Sequence, residues 1–160
     1  MKYIKDYKLF EAYPPSQFEI EAERKFREIL PDLEDILLEV LDLGVKWDIS
    51  KHISHGAFEV SIDIMKIKTE QQKKVVGEAV SRINDYLTQS GGEFSSAEIH
   101  QDIETTRDLG LGLPEPSRGV KREIFYVYDK NEVIDLLDHT GELGLTIDWF
   151  WNNDTALGEV

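Results

Sequence analysis

The sequence predicts a single α+β domain, with one sheet of about five strands and helices packed on one face. The chain has 160 residues, of which 41% are hydrophobic, and this suits one domain with its own core. Apolar residues recur at helical spacing in some stretches and at every second position in others. A helical stretch also separates two strand-like stretches, and such units usually share one sheet. A split βαβ, ferredoxin-like arrangement is therefore the preferred topology of the central part.

The predicted divisions are an N-terminal arm, residues 1–15, and the α+β domain, residues 16–160. Three aromatic residues of the arm repeat at helical spacing: Tyr3, Tyr7 and Phe10. We expect them to dock on their own domain or on another chain.

Two helices are expected next. Ser16-Gln17-Phe18-Glu19 has the form of a capping box and predicts a helix from Gln17. Pro31 suits the first turn of a helix, so a second helix is expected to begin there and to close at Gly44.

The hydrophobic period then changes to two. Alternating apolar residues over 45–53 and 58–64, separated by Ser54-His55-Gly56, predict a hairpin. Thr69-Glu70-Gln71-Gln72 supplies a second capping box, which opens a helix with a broad apolar face that ends at Gly91-Gly92.

The second half of the chain is expected to contain three more strands, near 97–103, 120–128 and 143–151, and a short helix over 132–139. The connection over 104–119 contains glycine and proline and is long for a compact domain. Loops of this kind are often functional.

Four basic residues mark the locality 107–122: Arg107, Arg118, Lys121 and Arg122. They predict a loop that contacts an anion, and the alternative is a mobile, solvated loop. The glycines there do not form a phosphate cradle, because the loop leads into a strand and not into a helix N-terminus.

His100, Asp102 and Glu104 alternate along a predicted strand, so their side chains would leave the same face. Together they offer one nitrogen and two oxygens to a divalent metal. The alternative is a solvated polar face on an antiparallel strand. We assign no catalytic residue and expect no cofactor.

Trp149-Phe150-Trp151 places large aromatic side chains on both faces of the last predicted strand. Unless the arm or the first helix covers the second face, apolar surface is exposed there and favours a partner. Self-association through this strand or through the arm, giving a homodimer, is therefore a prediction.

Lys and Arg number 18 against 32 Asp and Glu, and the resulting net charge is −14. Duplex nucleic acid is disfavoured as a ligand, because its binding depends on neutralising phosphates with Lys and Arg. No stretch approaches the roughly 18 apolar residues of a membrane span, and residues 1–6 lack the apolar region of a signal peptide. We expect a soluble, cytoplasmic protein with a basic protein partner and no contact with membrane.

Acidic residues concentrate in 129–160. This segment contains eight carboxylates and one lysine, which gives it a net charge of −7. These carboxylates are Asp129, Glu132, Asp135, Asp138, Glu142, Asp148, Asp154 and Glu159. Such a surface either solubilises the protein or imitates the phosphates of a nucleic acid to occupy a basic cleft.

Three stretches carry a resemblance to a known group of proteins. Met1-Lys2-Tyr3-Ile4-Lys5-Asp6-Tyr7-Lys8-Leu9-Phe10-Glu11 resembles the starts of small proteins of large tailed bacteriophages. Leu37-Leu38-Glu39-Val40-Leu41-Asp42-Leu43-Gly44-Val45 and Val80-Ser81-Arg82-Ile83-Asn84-Asp85-Tyr86-Leu87 are similar to uncharacterised acidic proteins of the same phages. The resemblance covers about half the chain. It implies a host-cytoplasmic setting and assigns neither an activity nor site residues.

The residue patterns favour a non-catalytic protein-binding or accessory domain, since exposed aromatic residues and an acidic surface suit a partner better than a substrate. The alternative is a metal- or phosphate-dependent enzyme that uses His100, Asp102, Glu104 and the basic loop 107–122.

Overall fold

The computed structural model describes residues 15–54, 56–107, 117–137 and 141–152, and for 102–107, 117–122 and 152 it describes the backbone alone. The predicted arm with Tyr3, Tyr7 and Phe10 lies outside these residues, as does the centre of the predicted long connection.

Three helices and five strands occupy the described ranges. The helices are α1 (Gln17–Asp42), α2 (Glu70–Gln89) and α3 (Lys130–Leu137). The strands are β1 (Lys46–Ser54), β2 (Ala57–Ile67), β3 (Glu93–Arg107), β4 (Ser117–Val127) and β5 (Leu143–Asn152). None of these helices is long and apolar enough to cross a membrane.

The five strands form a single open sheet in the order β1-β2-β5-β3-β4, and every neighbouring pair is antiparallel. β2 and β3 both run antiparallel to β5, so they are parallel to each other and α2 connects them. The predicted α+β fold is confirmed, and the central part has the split βαβ arrangement. The strand inserted between β2 and β3 is β5, which follows both of them in the chain.

The first helical region differs from the expectation of two helices. Pro31 lies inside α1 and does not begin a second helix. A proline in a helix removes one hydrogen-bond donor and crowds the preceding turn. Here the buried residues on both sides of it, including Ala22 and Ile29 before and Leu33 and Val40 after, form one stripe. Packing of that stripe on the core keeps the helix continuous, which outweighs the local cost of the proline.

Both predicted capping boxes are present. Ser16 Oγ accepts from the Glu19 amide at 3.2 Å, and Thr69 Oγ1 accepts from the Gln72 amide at 3.1 Å. Gln72 also donates from Nε2 to the carbonyl of Leu43 at 3.0 Å, which ties the start of α2 to the end of α1.

β3 and β4 are longer than the sequence suggested. β3 continues to Arg107 and β4 begins at Ser117, so both ends of the expected loop 104–119 belong to the sheet. The two strands pair through polar and basic residues, whose low apolar content hides the strand period from a sequence pattern. The short helix α3 likewise begins at Lys130, before the predicted position.

The core lies between the helices and one face of the sheet. α1 contacts β1 and α2, and α3 contacts α2, β3 and β4. The strands contribute these buried residues: Phe58, Val60, Ile62, Ile64, Ile67, Ala97, Ile99, Val127, Leu143, Leu145, Ile147, Trp149 and Trp151. The three helices therefore cover one side of the sheet.

Candidate functional site

The other side of the sheet, which we call the open face, carries polar residues and no helix within the described chain. On β2, the buried residues Phe58, Val60 and Ile62 alternate with Glu59 and Ser61, which remain partly exposed. The same alternation continues on β5. Strand periodicity therefore separates a covered apolar face from a face that meets solvent.

One row of residues crosses all five strands of the open face in register. Its members, in sheet order, are Asp48, Asp63, Thr146, Glu98 and Tyr126. Thr146 Oγ1 donates to Asp63 Oδ1 at 2.6 Å, and this bond holds the carboxylate in place. The row places three carboxylates on one surface and ends at an aromatic ring.

A second row adds another carboxylate. Ser61 pairs with Asp148, and its hydroxyl donates to the Asp148 carboxylate. Glu59 of β2 lies on the same surface as Asp148 and the first row. Lys46 lies on this surface too, at its β1 edge. The open face is therefore acidic in its centre.

Apolar side chains border this acidic surface on β4. Ile124 is 44% exposed and Tyr126 is 60% exposed, and both lie on the open face because they pair with His100 and Glu98. Phe150 is half-buried on β5. An exposed apolar border beside a field of carboxylates is typical of a surface that meets another protein.

Trp149 and Trp151 lie on the covered face and are fully buried. The Trp149 indole donates to Asn84 Oδ1 at 3.1 Å, and the Trp151 indole donates to the carbonyl of Ser90 at 3.2 Å. The Trp151 ring also stacks on Phe58 with centroids 4.9 Å apart. α2 and the turn after it therefore cover the indoles. On the second face, for which the sequence had suggested cover by the arm or the first helix, no helix lies within the described chain.

The central position of β5 also bears on self-association. β5 pairs with β2 on one side and β3 on the other, so it has no unpaired edge to offer a second chain. Of the expected aromatic triplet, Phe150 is the residue that reaches the open face.

His100, Asp102 and Glu104 occupy alternate positions of β3, opposite Ile124, Arg122 and Val120 respectively. His100 Nε2 lies 3.4 Å from Glu98 Oε2. The side chains of Asp102 and Glu104 lie outside the described atoms. Among the side chains that are described, no group of three His, Cys, Asp or Glu residues is arranged to hold a metal ion.

The predicted basic loop is partly strand. Arg107 ends β3, and Arg118 and Arg122 lie in β4, opposite Thr106 and Asp102. Arg118 and Arg122 therefore follow the edge of the sheet in backbone position, and the residues between the two strands lie outside the described ranges.

A groove between α2 and α3 was not anticipated from the sequence. Gly77 lies in its wall, where an added Cβ would be 3.8 Å from Ile134 Cγ2, an ordinary van der Waals distance. Lys73 and Lys74 line the groove together with Glu70 and Glu78. Its mixture of lysine and glutamate offers no net charge to a ligand, so we assign it no function.

One titratable group among those described has a clearly shifted pKa. Burial raises the pKa of Tyr86 to about 12, and a hydrogen bond to Asp32, with an O–O distance of 2.6 Å, adds to the effect. The phenol therefore stays protonated at neutral pH, which is the opposite of what a general base requires. The contact joins α1 to α2 and is structural.

Comparison with models of protein families and with the sequences of curated proteins finds no match for this chain.

Proposed function

We propose that this chain is a non-catalytic protein-binding domain that uses the open face of its sheet to bind a basic protein surface. The observation that supports the proposal is the uncovered sheet face, on which fixed carboxylates such as Asp63 and Asp148 lie beside the exposed side chains of Ile124 and Tyr126. The setting we propose is the cytoplasm, and the resemblance to phage proteins makes it that of a bacterial host.

The two parts of this surface would contribute differently. Carboxylates attract a basic partner over about a Debye length, ~8 Å at physiological salt, and mainly raise the association rate. Exposed aromatic and aliphatic side chains instead provide buried apolar contact, which slows dissociation. Binding should therefore weaken as salt rises, without being lost completely.

The experiment compares two variants of the open face with a matched control. Asp48→Asn with Glu59→Gln removes charge from the open face, and Ile124→Ser with Tyr126→Ser removes its apolar border. The control, Glu34→Gln with Asp35→Asn, removes the same charge from exposed positions of α1. Proteins captured from a lysate of the source cells are identified, purified and titrated against each variant by calorimetry at two salt concentrations.

We expect the charge variant to bind several-fold more weakly and with a smaller salt dependence. The apolar variant should bind more weakly with the salt dependence unchanged, and the α1 control should bind as the wild type does. A captured protein that binds both open-face variants as tightly as the wild type would contradict the proposal, as would failure of the wild type to retain any protein in this assay.

A further inference from the structure

β4 is an edge strand with exposed apolar residues on both of its faces. It pairs with β3 on one side, and within the described ranges no strand pairs with its other side. Ile124 and Tyr126 are exposed on the open face, and Phe125 is 36% exposed on the covered side. An unpaired edge of this length is a template for another strand, and folded proteins usually protect such edges.

β1, the opposite edge strand, makes its helix contacts through its covered face. α1 lies against β1, and Lys51 of β1 forms an ion pair with Glu23 of α1. Trp47 donates from its indole to the carbonyl of Leu37 on the same helix at 3.0 Å. The two edge strands therefore differ in their exposed side chains, which are polar on β1 (Asp48, Ser50, His52) and apolar on β4 (Ile124, Phe125, Tyr126).

We propose that two copies of this chain pair through β4, in antiparallel orientation, with Ser117 opposite the partner's Val127. The sequence of β4 is complementary to itself in this register. Lys121 falls opposite the partner's Glu123, Val120 opposite the partner's Ile124, and Arg118 opposite the partner's Tyr126. A two-fold axis repeats every pair. Pairs of opposite charge, of apolar residues, and of a cation with an aromatic ring all stabilise neighbouring strands.

The two-fold axis passes through position 122, so Arg122 lies opposite the partner's Arg122. Asp102 lies opposite Arg122 on β3, so a carboxylate position is next to the paired arginines. A shift of two residues in one direction would instead oppose Glu123 to itself, and in the other direction Lys121 to itself. Each shift also loses the Lys121 to Glu123 pairs, so the full-length register is the favoured one.

The charge distribution of the chain also favours this edge for self-association. The whole chain carries −14, so most of its surface repels a second copy. Residues 117–123 contain three cations (Arg118, Lys121 and Arg122) and one carboxylate, Glu123, which gives a net charge of +2. The dimer would join two five-stranded sheets, with both open faces on the same side. This inference does not depend on the identity of any other partner.

The test uses charge reversal in the full chain. Lys121→Glu opposes like charges to Glu123 across the axis, and Glu123→Lys does the same with Lys121. Each variant alone is expected to be monomeric by sedimentation equilibrium, whereas the wild type dimerises in the micromolar to millimolar range. An equimolar mixture of the two variants should form a heterodimer, and the double variant should dimerise with itself. Lys46→Glu on β1 is the control and should dimerise like the wild type.

Circular dichroism verifies that each variant is folded. As a second measurement, amide hydrogen exchange of the wild type should become slower in β4, but not in β1, as protein concentration rises. A wild type that stays monomeric up to millimolar concentration, with β4 exchange independent of concentration, would overturn the proposal. Single variants that dimerise as tightly as the wild type, or a mixture that stays monomeric, would overturn the pairing register.

Discussion

The indole N–H of Trp149 donates to the side-chain oxygen of Asn84 at 3.1 Å, and both residues are buried. The bond connects β5, in the middle of the sheet, with α2, which covers it. A buried donor that loses its partner costs roughly 1–3 kcal/mol, so this contact favours one position of α2 over others on the same apolar surface.

We expect Asn84→Ala to lower the free energy of unfolding by about 2 kcal/mol, because the indole N–H is left without its acceptor. In a double-mutant cycle with Trp149→Phe, the loss in the double variant should be smaller than the sum of the two single losses. Urea unfolding followed by circular dichroism measures all three. Gln89→Ala, at an exposed position of α2, is the control and should change stability by less than about 0.5 kcal/mol. Strictly additive losses would contradict the coupling.

Gly92 gives a second prediction, since a Cβ at this position would lie 2.5 Å from Trp151 Cζ2. The indole is buried and hydrogen-bonded, so it cannot move away freely. Gly92→Ala should therefore destabilise the fold by about 1–3 kcal/mol, in the range of overpacked cores, and shift the tryptophan fluorescence. Gly44→Ala is the comparison, because Gly44 has φ +81° and nothing within 4 Å of an added Cβ. That variant should lose about 1 kcal/mol through backbone strain, with the fluorescence unchanged.

The N-terminus of α2 depends on its capping residue. Thr69→Ala removes the acceptor of the Gln72 amide and should cost about 1 kcal/mol of unfolding free energy. Thr69→Ser keeps a hydroxyl at the same position and should retain most of that stability. The pair of variants is compared by thermal unfolding. An equal loss in both would show that the methyl group matters and the hydrogen bond does not.

The contact between Tyr86 and Asp32 predicts a dependence of stability on alkaline pH. The phenol ionises at 10.0 in its ordinary state, and in the folded protein its pKa is about 12. Between these two values the folded state holds the proton that the unfolded state has lost, so stability falls as pH rises. The stabilising contribution is complete below pH 10 and is lost as pH rises through the folded pKa.

Tyr86→Phe cannot ionise, so its thermal midpoint should fall less than that of the wild type between about pH 10 and 12. The two proteins share every other titratable group, so the difference between their curves of thermal midpoint against pH isolates Tyr86. Ultraviolet titration of phenolate absorbance gives an independent measurement. Parallel curves would contradict the assignment.

Local patterns predicted the elements that depend on neighbouring residues. The cap at Thr69 and the apolar stripe of α2 were sufficient to place that helix, and Ser54-His55-Gly56 was sufficient to place the hairpin. Alternation along β5 also predicted that Phe150 and the two tryptophans lie on opposite faces. These features follow from the geometry of a helix or strand alone.

Long-range arrangement could not be derived in the same way. The insertion of β5 between β2 and β3 depends on contacts between residues far apart in the chain, and so does the covering of Trp149 by Asn84. The aromatic triplet therefore left open which of its two faces is covered, and the sheet order places the tryptophans in the core and Phe150 on the open face. The exposed residues Ile124 and Tyr126 were missed as a surface, because only the sheet order makes β4 an edge.

The position of β5 has a consequence for how the protein is made. A ribosome releases β2 and β3 long before β5, yet these two strands are held together through β5. Until residues 143–152 emerge, the inner edges of both strands lack their partner and remain able to pair incorrectly. Contacts of such sequence separation form slowly, and the unpaired intermediates are prone to aggregate. We expect the sheet to be completed only once β5 has emerged, in a late and cooperative step.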